Sequence, residues 1–98
     1  MTDPRQSLTI HHDPVAGLFD ATVDGRHCEA SYRLQDGVMH LVHTAVPPAL
    51  QGQGIAAALV AAALAEARAQ GWRVRPVCSY VQTYMRRHPE TRDLLEPR

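Results

Sequence analysis

Apolar positions along this chain follow one rhythm up to about residue 46 and another after residue 54. In the first stretch they alternate. Leu8 and Ile10 alternate within Ser7 to His12, closed by Asp13-Pro14, and predict a first strand. Leu18 to Val23 and His27 to Leu34 flank Asp24-Gly25, a two-residue hairpin signal. The second of these places Cys28, Ala30, Tyr32 and Leu34 on one face and His27, Glu29, Ser31 and Arg33 on the other, the pattern of a half-buried strand. Asp36-Gly37 turns the chain again into Val38 to Val46, giving four antiparallel strands.

The second rhythm is helical. Nine residues between Ile55 and Gln70 are alanine, the best intrinsic helix former, with Leu59, Val60 and Leu64 adding bulk and Gly71 in the terminating position. No charge occurs there before Glu66, so the first turns should be covered by sheet, ligand or partner. Trp72 to Cys78 reads as a fifth strand, parallel to the fourth through a right-handed crossover. Pro76 inside it cannot donate a ladder hydrogen bond, which suits an edge or a place where strands part. A short helix from Tyr80 to Arg87 and a polar tail from His88 to Arg98 complete a single domain over residues 1–98. Trp72 reads as a core or boundary aromatic.

The junction between the two rhythms carries the chemistry. In Val46-Pro47-Pro48-Ala49-Leu50-Gln51-Gly52-Gln53-Gly54-Ile55-Ala56, two prolines stop the strand and two glycines let the backbone approach whatever lies at the helix start. The first N–H groups of a helix lack intrahelical partners and sit at its positive end, so this loop should hold an anion such as phosphate. A P-loop requires Lys and Ser or Thr after its second glycine, where Ile55 and Ala56 stand. Gly52-Gln53-Gly54-Ile55-Ala56-Ala57 matches a dinucleotide fingerprint, but no Asp or Glu occurs between Ala67 and Pro89 to take the ribose, and strands precede the motif. Gln51-Gly52-Gln53-Gly54-Ile55-Ala56 also matches Q/R-x-x-G-x-G/A. That hexapeptide, between strand and helix after a meander, resembles the acetyl-CoA pyrophosphate loop of the GNAT N-acetyltransferases.

Composition narrows the classes further. Ten Lys plus Arg balance ten Asp plus Glu, so no nucleic-acid-binding basic patch is expected. Uninterrupted apolar runs fall well short of the ~20 residues of a membrane span, and the N-terminus lacks a signal-peptide core. Cys28 and Cys78 have no metal or disulfide spacing, and the histidines, including His11-His12 and His40, suggest no metal. The expected location is cytoplasmic and reducing.

The resemblance extends to the very small GNAT-like acetyltransferases of bacteria and eukaryotes. It spans roughly Phe19 to Leu95 and is carried by His43-Thr44-Ala45-Val46-Pro47, the glycine loop, Val77-Cys78-Ser79-Tyr80-Val81 and Tyr84-Met85-Arg86-Arg87-His88-Pro89. It implies a minimal GNAT fold of α+β class, layered like an α/β protein, with a gap between the fourth and fifth strands for the pantetheine arm. Thr44, Ala45, Val46, Gln51, Gly52, Gln53, Gly54, Ile55, Ala56, Tyr84 and Arg87 would then bind acetyl-CoA, with backbone at Ala45 and Val46 pairing with that arm. Larger GNAT enzymes place two helices after the first strand, where this chain has only Asp13 to Gly17. Arg86, Arg87 and His88 are either a solvated helix end or cations near the CoA phosphates.

Transfer of acetyl to an amine needs a neutral amine, help for the oxyanion and a proton for the departing thiolate. The groups expected at the gap are His43 and Thr44 on one side and Cys78 and Tyr80 on the other, with Tyr84 on the last helix. Cys78 is a nucleophile or a small core residue; Cys28 belongs to the core. His43 is a general base, since histidine titrates near pH ~6.5, or a polar edge residue. Tyr84 stands near the usual thiol-protonating tyrosine, with Met85 the competing register. Two functions fit: an N-acetyltransferase acting on a small or peptidic amine, or a non-catalytic CoA or acyl-CoA binding module.

Overall fold

In a computed structural model, residues 8–95 are described. Five strands form one sheet in chain order: β1 (His11–Asp13), β2 (Leu18–Val23), β3 (Arg26–Gln35), β4 (Val38–Ala45) and β5 (Arg73–Pro76). The first four are antiparallel, and β5 runs parallel to β4 after the crossover helix α1 (Ile55–Gln70). The helix α2 (Ser79–Arg87) follows β5, and single 3-10 segments occupy Pro48–Leu50 and Pro89–Leu94. Both hairpins turn through consecutive positive φ angles, Asp24-Gly25 at 51° and 72° and Asp36-Gly37 at 52° and 75°. Those are the values that match the right-handed twist of the flanking strands.

One face of the sheet makes the core. Phe19 and Ala21 of β2, Cys28, Ala30 and Tyr32 of β3, Met39 and Leu41 of β4 and Val74 of β5 meet Ile55, Leu59, Val60, Ala63, Leu64 and Ala67 of α1, and Val81 and Met85 of α2. The alanines let α1 lie close to the strands. Side chains of the opposite parity, such as Asp20, Glu29, Ser31 and His40, are half-buried or exposed and face away from the helices. β1 adds a buried aromatic corner: His12 stacks on Phe19 at 4.1 Å and its Nε2 is 2.6 Å from the Tyr32 hydroxyl.

A one-residue irregularity in β4 decides which side chains reach the site. From Val38 to Leu41 the strand pairs regularly with β3, ending at Tyr32↔Leu41, yet the next pair is Ser31↔His43. Val42 is left without a partner on β3, which makes a β-bulge. Inserting one residue reverses the inside–outside alternation beyond it. Strict alternation from Met39 and Leu41 would turn His43 inward. Instead Thr44 pairs with the inward Ala30, and His43 is exposed, paired with Ser31.

The element boundaries depart from the sequence reading in four places. The first strand covers only His11–Asp13; Leu8 and Ile10 pack against the core outside the ladder, and Ser7 lies outside the described residues. β5 stops at Pro76 because the amides of Val77 and Cys78 both donate to the Leu41 carbonyl, at 3.0 and 2.9 Å, so the ladder has no further rung. Leu34 keeps the inward parity through its pair Met39 but is 45% exposed, one residue from the end of β3, where the helices no longer cover the sheet. The expected polar tail from His88 to Arg98 is instead folded back on α1 as far as Leu95, and residues 96–98 lie outside the described residues. Arg68 holds the Asp93 carboxylate with both guanidinium nitrogens (2.7 and 3.0 Å), Arg73 donates to the Asp93 carbonyl, and Leu94 is buried.

Candidate functional site

The loop between β4 and α1 turns on two left-handed glycines. Gly52 has φ 83° and Gly54, the residue before α1, has φ 81° and ψ 11°. Side chains other than glycine pay for that region, so the glycines are what allow α1 to begin so abruptly. The helix starts bare: no side chain caps it and its first turn holds no acidic residue, while the first helical bond runs from the Ala58 amide to the Gly54 carbonyl at 3.0 Å. The amides of Ile55, Ala56 and Ala57 precede that bond and have no carbonyl one turn back to satisfy them. The Gln51 side chain ties the loop to the strand end by donating to the Val46 carbonyl at 3.0 Å.

These amides border a cleft of about 480 Å³ lined by Thr44, Val46, Gln51, Gly52, Gly54, Ile55, Ala56 and Tyr80. Seven of those eight are positions the sequence assigns to cofactor binding. Ala45 and Gln53 lie between lining neighbours without forming its wall. Tyr80, on the first turn of α2, walls the cleft, whereas Tyr84 stands one turn further and stacks on His88 (4.0 Å between ring centres). His88 Nδ1 donates to the Tyr84 carbonyl at 2.8 Å, fixing that pair. Arg87 is exposed and close enough to Tyr80 to act on its phenol: burial pushes Tyr80 up and the Arg87 charge pulls it back. Tyr84 is raised by burial first, then by Glu90 and Tyr80.

The gap between strands forms where β4 and β5 stop pairing, at Leu41↔Pro76. Beyond it, Thr44 and Cys78 approach each other from the two sides, with Oγ1 and Sγ 3.8 Å apart. Cys78 occupies the position before α2, whose amides point back toward it. No formed side-chain hydrogen bond caps this helix, so the amides act on the sulfur as the positive helix end. Partial burial pushes the Cys78 thiol up, but the Val81 amide, the Thr44 hydroxyl and the Tyr80 amide together outweigh it. The thiol is left below the ordinary cysteine range. Cys28 is the opposite case: fully buried in the core and pushed up by desolvation. His43 borders the same gap on the solvent face of β4, not on the Cys78 side. Among the described residues no cluster of three or more His, Cys, Asp or Glu could hold a metal ion, and no helix is long and apolar enough to cross a membrane.

A splayed parallel pair beside a bare helix start, after an antiparallel meander, defines the class of fold. Residues 18–94 match the family described as GCN5-related N-acetyl-transferase, and the chain belongs to that family. It is 30% identical over 90 residues to Protein NATD1 of Xenopus tropicalis, covering 89% of this chain and 83% of that one. The NMR solution structure of a GCN5-like protein from Staphylococcus aureus superposes with a TM-score of 0.74 at 22% identity, over 100% of this chain and 93% of the other. That likeness establishes a shared fold.

Proposed function

We propose that this chain binds acetyl-CoA in the cleft and transfers the acetyl group to a primary amine, small or peptidic. The observation that carries the reading is the continuity of the cleft: bare amides at the start of α1 at one end, Thr44 and Tyr80 on its walls, and the Thr44–Cys78 contact beside it. The pyrophosphate would lie on the amides from Gly52 to Ala56, and the pantetheine arm against the backbone of Ala45 and Val46 in the splayed gap. Arg87, beside Tyr80, would lend positive charge to the phosphates.

The chemistry then follows in two steps. The Cys78 thiolate attacks the thioester carbonyl, the bond from that carbon to the CoA sulfur breaks, and the leaving thiolate takes a proton from the Tyr80 phenol. A neutral amine next attacks the acetyl-cysteine, its proton returns to the Tyr80 phenolate, the bond from the acyl carbon to the Cys78 sulfur breaks, and the Cys78 thiolate is released. Tyr80 walls the cleft where Tyr84 does not, which favours Tyr80 as the donor. Incubation with acetyl-CoA should add the mass of one acetyl group at Cys78. The adduct should be labile to hydroxylamine and absent in Cys78→Ala. Acetyl on Cys28, or none with full amine acetylation, would replace this scheme with direct transfer.

One feature favours a second reading, a CoA or acyl-CoA binding module without turnover. β1 and β2 are joined by a tight turn, its Asp13 carboxylate accepting from the amides of Val15 and Ala16 at 3.1 Å, with no helix to wall an acceptor site. Calorimetry with acetyl-CoA paired with an amine-acetylation assay separates the two. Binding without acetylation of any of a panel of amines would select the module.

A further inference from the structure

The geometry points to the Thr44 hydroxyl as the group that positions the Cys78 thiol at the head of the strand gap. This deepens the acyl-transfer reading and rests on it for its chemical purpose, though the positioning itself is a property of the protein alone.

Three observations converge on Thr44. The unpaired Val42 reverses the parity of β4, and without that reversal residue 44 would project away from the helices. With it, Thr44 pairs with the buried Ala30 and brings Oγ1 to 3.8 Å from Sγ, across a gap where the backbones have already parted. Thr44 also lines the cleft, so one residue meets both the cleft and the sulfur. A hydroxyl is the suitable group here. It donates to an ionised sulfur, accepts from a protonated one, and adds no charge of its own. As a β-branched residue on a strand, Thr44 has few χ1 choices, so its hydroxyl is held rather than merely available.

Among the described residues no charged side chain enters the balance at Cys78. Burial raises its thiol, and against it act the amides of Val81 and Tyr80 from α2 and the hydroxyl and backbone of Thr44 from β4. His43, the neighbouring titratable residue on β4, projects from the opposite face of the sheet. The helix end favours the thiolate; Thr44 fixes where that thiolate points. Thr44 is therefore a positioning residue: it acts on the nucleophile, not on the acyl group.

The test is the pH profile of iodoacetamide alkylation of the intact protein, read site by site by mass spectrometry, for wild type, Thr44→Val and Thr44→Ser. Thr44→Val keeps the shape and removes the donor. Its Cys78 midpoint should rise by about one pH unit, which lowers the thiolate fraction near neutral pH about tenfold. The more basic thiolate is a better nucleophile and returns roughly threefold, so the observed rate should fall about three- to fourfold. Thr44→Ser restores the hydroxyl and should restore most of the profile. Buried Cys28 reports the fold in the same spectra: it stays unmodified in a folded variant. Should Thr44→Val expose Cys28, Thr44→Ala takes its place. A Thr44→Val profile superimposed on wild type, with Cys28 protected, overturns the assignment, as does a Thr44→Ser profile as shifted as that of Thr44→Val. Acetyl-CoA takes no part in this assay. A shifted profile in a protein whose Cys78 never accepts acetyl would sustain the positioning and remove the nucleophile scheme, so the two fail separately.

Discussion

Two glycines with the same backbone strain and different surroundings allow the anion loop to be tested cleanly. Gly52 (φ 83°) belongs to the loop that lines the cleft, and Gly71 (φ 74°) closes the far end of α1. A Cβ built on either meets no atom within 4 Å, so alanine adds no clash with the protein at either place. What remains is the left-handed conformation, about 1–2 kcal/mol for a non-glycine residue. Out of a stability of roughly 5–15 kcal/mol for a domain of this size, that leaves both variants folded. Each should lose about 4–8 °C in Tm per kcal/mol, and the two losses should be alike. Only Gly52→Ala places its methyl where the phosphates would approach the backbone. Acetyl-CoA affinity by calorimetry should therefore fall tenfold or more in Gly52→Ala, about 1.4 kcal/mol, and stay within twofold of wild type in Gly71→Ala. Equal affinity in all three proteins would show that the loop does not hold the pyrophosphate. Equal losses in both variants would show that binding merely follows stability. NAD is the control ligand, since tight NAD binding would restore the dinucleotide reading of the same glycines.

The remaining expectations concern protons. His43→Gln should leave the pH profile of acetylation unchanged, because His43 faces away from Cys78; loss of the rise near neutral pH would make His43 the base after all. Because the fold holds Cys78 below the ordinary range, thiolate-dependent chemistry should already be present at pH values under that of a free cysteine, and should fade only as acid protonates the sulfur. Tyr80→Phe should slow the first step at saturating acetyl-CoA by ten- to a hundredfold, while Tyr84→Phe should cost less than threefold. The reverse order of effects would return the proton-donor role to Tyr84.

Much of this was readable in the sequence where the signal is local. The Asp-Gly hairpins, the alanine helix with its closing Gly71, and the glycine loop each depend on residues within a few positions, and each stands where expected. Pro76 likewise marked the parting of β4 from β5. What was not readable depends on register or on distant charge. Nothing in Val38 to Ala45 marks Val42 as the bulge, because a valine fits either strand face, so the facing of His43 and Thr44 was not legible. The folded tail escaped because its polar residues look solvated until Arg68, more than twenty positions earlier, is seen to clasp Asp93. Tyr80 and Tyr84 are one helical turn apart, and only the packing angle of α2 decides which one meets the cleft.

The bulge at Val42 makes the site a matter of counting as much as of chemistry. Were Val42 instead to take the rung opposite Ser31, every proposed participant would remain in the chain and the ladder would run on an even beat. Thr44 would swing to the solvent side, and His43 would be carried in against Cys78. A hydroxyl facing a thiol would be exchanged for an imidazole facing a thiol, a nucleophile–base pair of quite different temperament, with no side chain altered. Homologous chains that keep these residues but pair this strand in another register would thus run different chemistry on the same set of amino acids. Comparing them column by column would not reveal it; only the phase of the strand would.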